Sequence, residues 1–305
     1  MQTRCIEAVS AGYLLDLAST ASYQVHSRFE HVLNLRAPQG GLFSLLHPRY
    51  ADQPTALRVS TPLGWDWRLQ SGSQVSMRNG ILHGGSWQIS TAATPVWRPA
   101  SPSRADPEQC FLAYPLLELL LVNRGKTTGN YSKLSLLPGW PGHCIEIEPD
   151  SSPIWLRMQL KSLIGFGNGL TPDGDDYLSG YIAALWQWNK KPYIHRHLQD
   201  IKSATLRLLH RTNDISAHYL QLALSGHYSR LLCDLSLSIQ QYQQSDNLLN
   251  PHAEALMAMG ASSGMDTLAG YLHGIRSLHY FVAGSALKHQ AIPPFLYRPK
   301  NEHRI

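Results

Sequence analysis

The chain has 305 residues, 43% of them hydrophobic and 15% charged, enough to build a core and to suggest about two domains. Lys and Arg outnumber Asp and Glu by 26 to 21, but the excess is dispersed: residues 1–106 sum to +3, residues 107–287 to −1 and residues 288–305 to +3. A phosphate-backbone footprint needs clustered cations, so no nucleic-acid partner is expected.

At the N-terminus, Glu7 and Asp16 interrupt the apolar stretch that a signal peptide requires. The most apolar run, Cys110–Val122, is too short to span a bilayer and contains Glu118. Cys5, Cys110, Cys144 and Cys233 lie far apart, which fits a reducing compartment better than a disulfide scaffold or a zinc ribbon. The expectation is a soluble cytoplasmic protein with no membrane association.

The first third reads as strands: Tyr23–Arg36, Gly41–Leu46, Ala56–Thr61, Trp65–Gln70, Gln74–Arg78, Ile81–His83 and Ser86–Thr91. They are rich in β-branched and aromatic residues and separated by turn residues at short intervals. Asn79-Gly80 marks a two-residue hairpin, because a type I′ turn needs positive φ at both central positions. Trp65, Trp67, Trp87 and Trp97 fall in this part and read as packing residues rather than a groove. Pro95–Pro107 reads as a linker. Beyond it the pattern turns helical over 108–124, 153–163, 173–189, 194–210, 214–226, 228–243, 251–259 and 264–287. Pro153, Pro172 and Pro251 suit helix starts. The fold class predicted is therefore α+β: an antiparallel β-barrel or sandwich over 1–106, then an all-α domain over 107–305.

The most informative stretch is Gly165–Tyr181, GFGNGLTPDGDDYLSGY. Glycines at 165, 167 and 169 permit backbone conformations and close approaches that a Cβ forbids. Thr171 suits an N-cap and Pro172 the first helical position. One acid in the first turn favours the helix dipole, but Asp173, Asp175 and Asp176 together repel one another. That surplus points to a ligand as well as a cap. Three carboxylates oppose a bare anion, so two alternatives stand. A phosphate held through bridging Mg²⁺, or by Lys and Arg brought from elsewhere, is one. Carboxylates accepting hydrogen bonds from an amide or ureido group are the other.

The segment recurs. Asp176, Leu178, Gly180 and Tyr181 match Asp266, Leu268, Gly270 and Tyr271, each 90 residues further on, and Ser262 and Ser263 stand where the first copy has its hydroxyl. Two related helix starts facing one cavity are expected. A third polar start, Thr212-Asn213-Asp214, either lines the same cavity or simply caps a helix. Asn123–Thr128 looks like the end of a phosphate loop, but the leading glycine position holds Leu120 and a helix precedes it. The 15 histidines form no zinc pattern, and no G-x-S-x-G elbow is present.

GFGNGLTPDGDDYLSGY, RTNDISAHYLQLALSGHYSRLL and MGASSGMDTLAGYLHGI together resemble the bacterial family that includes the AllH subunit of oxamate carbamoyltransferase, over nearly the whole chain. The resemblance implies a subunit working beside an FdrA-like subunit and a third partner in allantoin and purine nitrogen catabolism. The assembly interconverts oxamate plus carbamoyl phosphate with oxalurate plus phosphate. It supports Gly165, Gly167, Gly169, Leu170, Thr171, Pro172, Gly174, Asp175, Asp176, Gly180, Thr212, Ser216, Gly226, Ser262, Ser263, Gly264, Asp266 and Gly270. Ala261, Met265 and Arg211 depart from its pattern of His, Trp and Thr, which bears on the substrate more than on the fold. The candidate catalytic residues are Asp175, Asp176 and Asp266. The candidate substrate-binding residues are Gly167, Asn168, Gly169, Thr171, Asp173, Thr212, Ser262 and Ser263. A non-catalytic subunit completing a partner's active site, and a stand-alone Mg²⁺ enzyme acting on a small phosphorylated metabolite, are the competing readings.

Overall fold

A computed structural model describes residues 3–62, 66–101, 105–129, 132, 146–149, 151–243 and 249–283. Trp65, Cys144 and the basic tail lie outside these residues. The chain divides into two compact units, residues 1–100 with 227–234, and residues 101–226 with 235–305.

The first unit is a closed β-barrel. Its strands are β1 (Arg4–Gly12), β2 (Ala21–Arg28), β3 (Val32–Arg36), β4 (Leu42–Leu46), β5 (Ala56–Val59), β6 (Gln74–Arg78), β7 (Ile81–Gly84) and β8 (Trp87–Ser90). The order runs β5-β4-β3-β2-β6-β7-β8-β1, and β1 pairs back onto β5 to close the circuit. Closure leaves no long exposed edge in the barrel wall. A ninth strand, β9 (Val96–Trp97), adds to the end of β1 inside the segment read as a linker. Most pairs are antiparallel, but β1–β8, β1–β9 and β4–β5 are parallel.

Where the chain reads as one strand from Tyr23 to Arg36, the barrel has a hairpin instead. The Phe29 N–H donates to the Val32 carbonyl across a turn that contains no Gly, Pro or Asn. Gln70 and its described predecessors 66–69 carry no strand, although Trp67 is fully buried. β1 shows no simple alternation because it is bulged: Arg4–Glu7 pair regularly with β8, but the pairing with β5 shifts register between Ala8 and Ser10. The Asn79-Gly80 turn is as expected, with φ of 50° and 71°. Trp67 and Trp87 meet edge to face at 5.6 Å, and the Trp87 indole N–H donates to the Trp67 carbonyl at 3.0 Å. Both rings are core residues, packed with Val25, Leu33, Leu45, Leu57, Val75 and Leu82.

Asp52, 3% exposed, sits at one end of the barrel unit. It accepts from the Ser10 hydroxyl and pairs with Arg58 at 3.4 Å and Arg230 at 3.2 Å. A buried carboxylate persists only with such partners. Arg230 belongs to the segment His227–Asp234, which returns to this unit late in the chain.

Among the described residues the second unit's helices are α1 (Pro107–Thr128), α2 (Pro153–Leu163), α3 (Asp173–Trp186), α4 (Pro192–Leu208), α5 (Asp214–Ala223), α6 (Arg230–Gln240, whose first turn lies in the barrel unit), α7 (Leu249–Met257) and α8 (Ser263–Ala283). Asp106 caps α1 through the Glu108 N–H, and Ser152 caps α2 through the Trp155 N–H. α3 is buried almost all round, from Asp173 through Leu185, which marks it as the central helix. Its main partner is α8.

α3 and α8 pack in parallel. Thr171 meets Ser263 at their starts, Tyr177 meets Gly270 and His273 further along, and Tyr181 meets Gly274 and Ser277 beyond. A Cβ on Gly180 would collide with the Thr267 carbonyl, and one on Gly270 with the Tyr177 carbonyl. These glycines therefore set the interhelical distance, and the backbones touch where they cross. No described helix is long and apolar enough to cross a membrane.

Candidate functional site

The site is built by the starts of α3, α8 and α5. Ahead of α3, the chain leaves α2 at Leu163 and turns through Gly165, Gly167 and Gly169, with φ of +77°, +106° and +103°. A Cβ on Gly167 would strike Asp173, so the loop lies directly against the helix start. Asn168, Gly169 and Leu170 remain exposed. Helix α3 begins at Asp173, with Pro172 in the cap position and no side-chain cap. Thr171, expected as the cap, instead shares a 2.9 Å hydrogen bond with the Ser263 hydroxyl at the start of α8.

Asp175 is 1% exposed and its oxygens are engaged from within. Oδ1 accepts from the Gly165 N–H at 3.0 Å, and Oδ2 accepts from the Ser216 hydroxyl at 2.7 Å and from the Thr212 hydroxyl. It thereby ties the glycine loop to the start of α5, where Asn213 caps through the Ile215 and Ser216 N–H groups. Burial pushes the Asp175 carboxyl above its ordinary value, while the hydrogen bonds from Thr212, Ser216 and Gly165 pull it back.

Asp173 accepts from the Ser262 hydroxyl at 3.2 Å, a second cross-link between α3 and the residues opening α8. Asp176 receives hydrogen bonds from Ser263 and Thr171. Its Oδ2 is buried and makes no hydrogen bond among the described residues. Burial is the main reason its carboxyl lies well above the ordinary range; the hydroxyls oppose this, and the charges of Asp266 and Asp175 add to it. Asp266, in the first turn of α8, is fully buried.

The echo in the sequence is thus an echo in space. Gly174 and Gly264, also 90 residues apart, press against the carbonyls of Leu163 and Leu256 at the ends of the helices that precede theirs. Asp176 and Asp266 occupy the first turns of two parallel helices, close enough that the charge of Asp266 raises the Asp176 carboxyl. Hydroxyl–hydroxyl and hydroxyl–carboxylate bonds draw the two starts together.

The three expected binding segments therefore meet, but in different ways. Thr171, Asp173, Thr212, Ser262 and Ser263 bond to one another or to the acids, while Gly167, Asn168 and Gly169 form the outer rim. Among the described residues no three His, Cys, Asp or Glu side chains form a group able to hold a metal ion. Asp175, with three internal donors, has little capacity left for Mg²⁺. Sequence reasoning passed over Lys161, which shares an open concavity with Gly165, Phe166 and Arg211. A cation two residues before the end of α2 reads as ordinary helix-end chemistry, so nothing local singles it out.

Beneath the site runs a buried polar row. Tyr177 bonds His273 Nδ1 at 2.9 Å, Tyr181 bonds His197 Nε2 at 2.8 Å and Ser277 at 3.0 Å, and Arg276 donates to the Tyr114 hydroxyl at 2.7 Å. Burial, with Arg276 and His197 nearby, holds the His273 imidazole well below its usual value.

A closed barrel followed by a helical unit with two glycine-bearing, acid-bearing parallel helix starts defines a two-part protein whose helical unit gathers buried carboxylates. Residues 5–96 match the model of the AllH family N-terminal domain, and residues 163–275 match the model of the oxamate carbamoyltransferase subunit AllH. The chain belongs to the AllH family. No solved structure matches it.

Proposed function

We propose that this chain is one subunit of a complex that transfers a carbamoyl group between carbamoyl phosphate and oxamate, or a closely related small amide, in purine or allantoin nitrogen catabolism. The family match carries the reading. In the direction of oxalurate synthesis the amide nitrogen of oxamate attacks the carbamoyl carbon. The bond from that carbon to the phosphate oxygen breaks, and the proton lost from nitrogen passes to a base. Such a reaction requires acceptors for amide N–H groups and one group able to take a proton near neutral pH.

The acids divide by their surroundings. Asp175 serves the loop, and its oxygens are occupied. Asp176 keeps one oxygen without a hydrogen bond among the described residues, and a carboxyl whose proton affinity is raised by burial and by Asp266. Asp176 is therefore our candidate for the proton-accepting group, with Asp266 tuning it. Asn168 and Gly169 on the exposed rim are the candidate substrate contacts, and Thr171, Ser262 and Ser263 hold the two helix starts in register. An FdrA-like subunit and a third subunit would supply the remaining groups.

The exposed apolar residues Ile154, Trp155 and Met158 on α2, with Leu170 in the loop, favour a second reading. In it the chain is an accessory subunit that docks beside the site and completes a partner's active centre. Reconstitution of this chain with its FdrA-like and third partners decides between these. Oxalurate formation by the complex and not by the chain alone is expected, with Asp176→Asn lowering kcat. Full activity of an assembled Asp176→Asn, Asp266→Asn complex would establish the accessory role; no oxalurate from any assembly would refute carbamoyl transfer.

A further inference from the structure

Between the last turn of α2, the glycine loop and the short 3-10 turn Leu209–Arg211 lies an open concavity of about 530 Å³. Lys161 and Ser162 enter it from α2, Gly165 and Phe166 from the loop, and Arg211 from the turn, with Met158 adding apolar wall. Each cation taken singly offsets the negative end of its own helix. Helix-end chemistry does not explain why both share one concavity.

The meeting is enforced by the backbone. Gly165 has φ +77°, and a Cβ there would collide with the Arg211 carbonyl, so loop and turn are pressed together. Asp175 clamps the same junction, holding the Gly165 N–H on one side and the Thr212 hydroxyl, next to Arg211, on the other. Its charge is spent inward on those donors. Lys161 and Arg211 form no ion pair or hydrogen bond among the described residues, and both are exposed.

We propose that this concavity is an oxyanion site that takes the phosphoryl group of a small phosphorylated substrate between Lys161 and Arg211. An ammonium point charge and a planar guanidinium fork suit a dianion with several equivalent oxygens. Met158 and Phe166 leave an apolar strip for the uncharged remainder of the molecule. The identity of that substrate as carbamoyl phosphate rests on the carbamoyltransferase reading; the site itself does not. A carboxylate such as that of oxamate shares the oxyanion chemistry, and the test separates the two.

Calorimetry on the full chain with inorganic phosphate, and separately with oxamate, is the first measurement. Phosphate is expected to bind, Lys161→Gln and Arg211→Gln each to weaken it about tenfold, and Lys161→Arg to retain it. Thermal midpoints should be unchanged, since both side chains are exposed. Absence of phosphate binding, or unchanged binding in both Gln variants, overturns the site. Oxamate binding that displaces phosphate and fails in the same variants reassigns the site to the carboxylate substrate and overturns the phosphoryl proposal. The reconstituted complex supplies the second measurement. Oxalurate synthesis with an unchanged KM for carbamoyl phosphate in the double Gln variant removes the site and leaves the proposed function standing. Phosphate binding that depends on both cations, in a complex that makes no oxalurate, removes the function and leaves the site.

Discussion

Gly180 on α3 faces the Thr267 carbonyl of α8, and Gly270 on α8 faces the Tyr177 carbonyl of α3, so that residues 90 apart exchange roles across the helix pair. The crossing has the character of a local two-fold, and the same operation relates Asp176 to Asp266. Backbone contact at the crossing is what lets two short polar helix starts share hydroxyl bonds. An ordinary helix packing distance of 8–10 Å would separate them further.

This relationship predicts a sign reversal for an otherwise favourable substitution. In an exposed helix, Gly→Ala stabilises by about 1 kcal/mol. Here Gly180→Ala and Gly270→Ala should each destabilise by roughly 1–3 kcal/mol through overpacking, and the double variant by less than the sum. Urea unfolding of the three variants measures this; a gain in stability from either single variant would refute the close crossing.

Asp175 should behave as a structural acid. Asp175→Ala leaves the Gly165 N–H and the Thr212 and Ser216 hydroxyls without their acceptor, and should cost about 1–3 kcal/mol or more. Asp175→Asn keeps one acceptor oxygen and should cost less. Equal losses for the two variants in thermal denaturation would show that the carboxylate does not hold the loop.

Asp176 should impose a pH dependence of definite sign. Its native carboxyl binds a proton more tightly than the unfolded chain does, at its ordinary 3.8, so stability falls as pH rises from there through the raised native value. Asp176→Asn removes that loss. The variant should be more stable than the wild type at pH 7, with the difference shrinking towards pH 3. A difference independent of pH would contradict the assignment.

His273 should act in the opposite sense. Its native pKa is depressed below the ordinary 6.5, so the unfolded state gains the proton first and stability is lost as pH falls from there through the lower native value. His273→Gln should flatten this acid limb while costing stability at pH 8, where the Tyr177 hydrogen bond is lost. Unfolding curves between pH 4 and pH 8 report both effects.

Cleavage of the chain within Pro95–Pro107 should not release a free barrel. His227–Asp234 belongs to the barrel unit, and Arg230 pairs with the buried Asp52. The two proteolytic fragments should co-elute on gel filtration, and Arg230→Ala should weaken their association. Immediate separation of wild-type fragments would contradict this division of the chain.

The β-then-α order was legible because strand and helix periods are local properties, and the Asn79-Gly80 turn because positive φ has a compositional signature. The duplicated helix start was legible for a similar reason, since glycine at a backbone contact and aspartate in a first turn recur at a fixed spacing. β1 was not legible, because a bulge between Ala8 and Ser10 breaks the alternation of its buried face. The hairpin at Phe29 was hidden because its turn uses residues with no turn preference of their own. Likewise, the residue types at 171–176 announce a polar helix start but do not state which oxygens are spent. Asp175 and Asp176 are adjacent and identical in sequence, and only the packed structure separates them. The glycine loop and the start of α5 supply three donors to one, while Thr171 and Ser263 give the other two hydroxyls and Asp266 sets a like charge beside it. Lys161 and Arg211, 50 residues apart, share a concavity only because Gly165 lets two backbone segments touch. Local chemistry is written in the order of the residues; which groups meet, and which remain free to act, depends on long-range contacts that bury some polar atoms and leave others exposed.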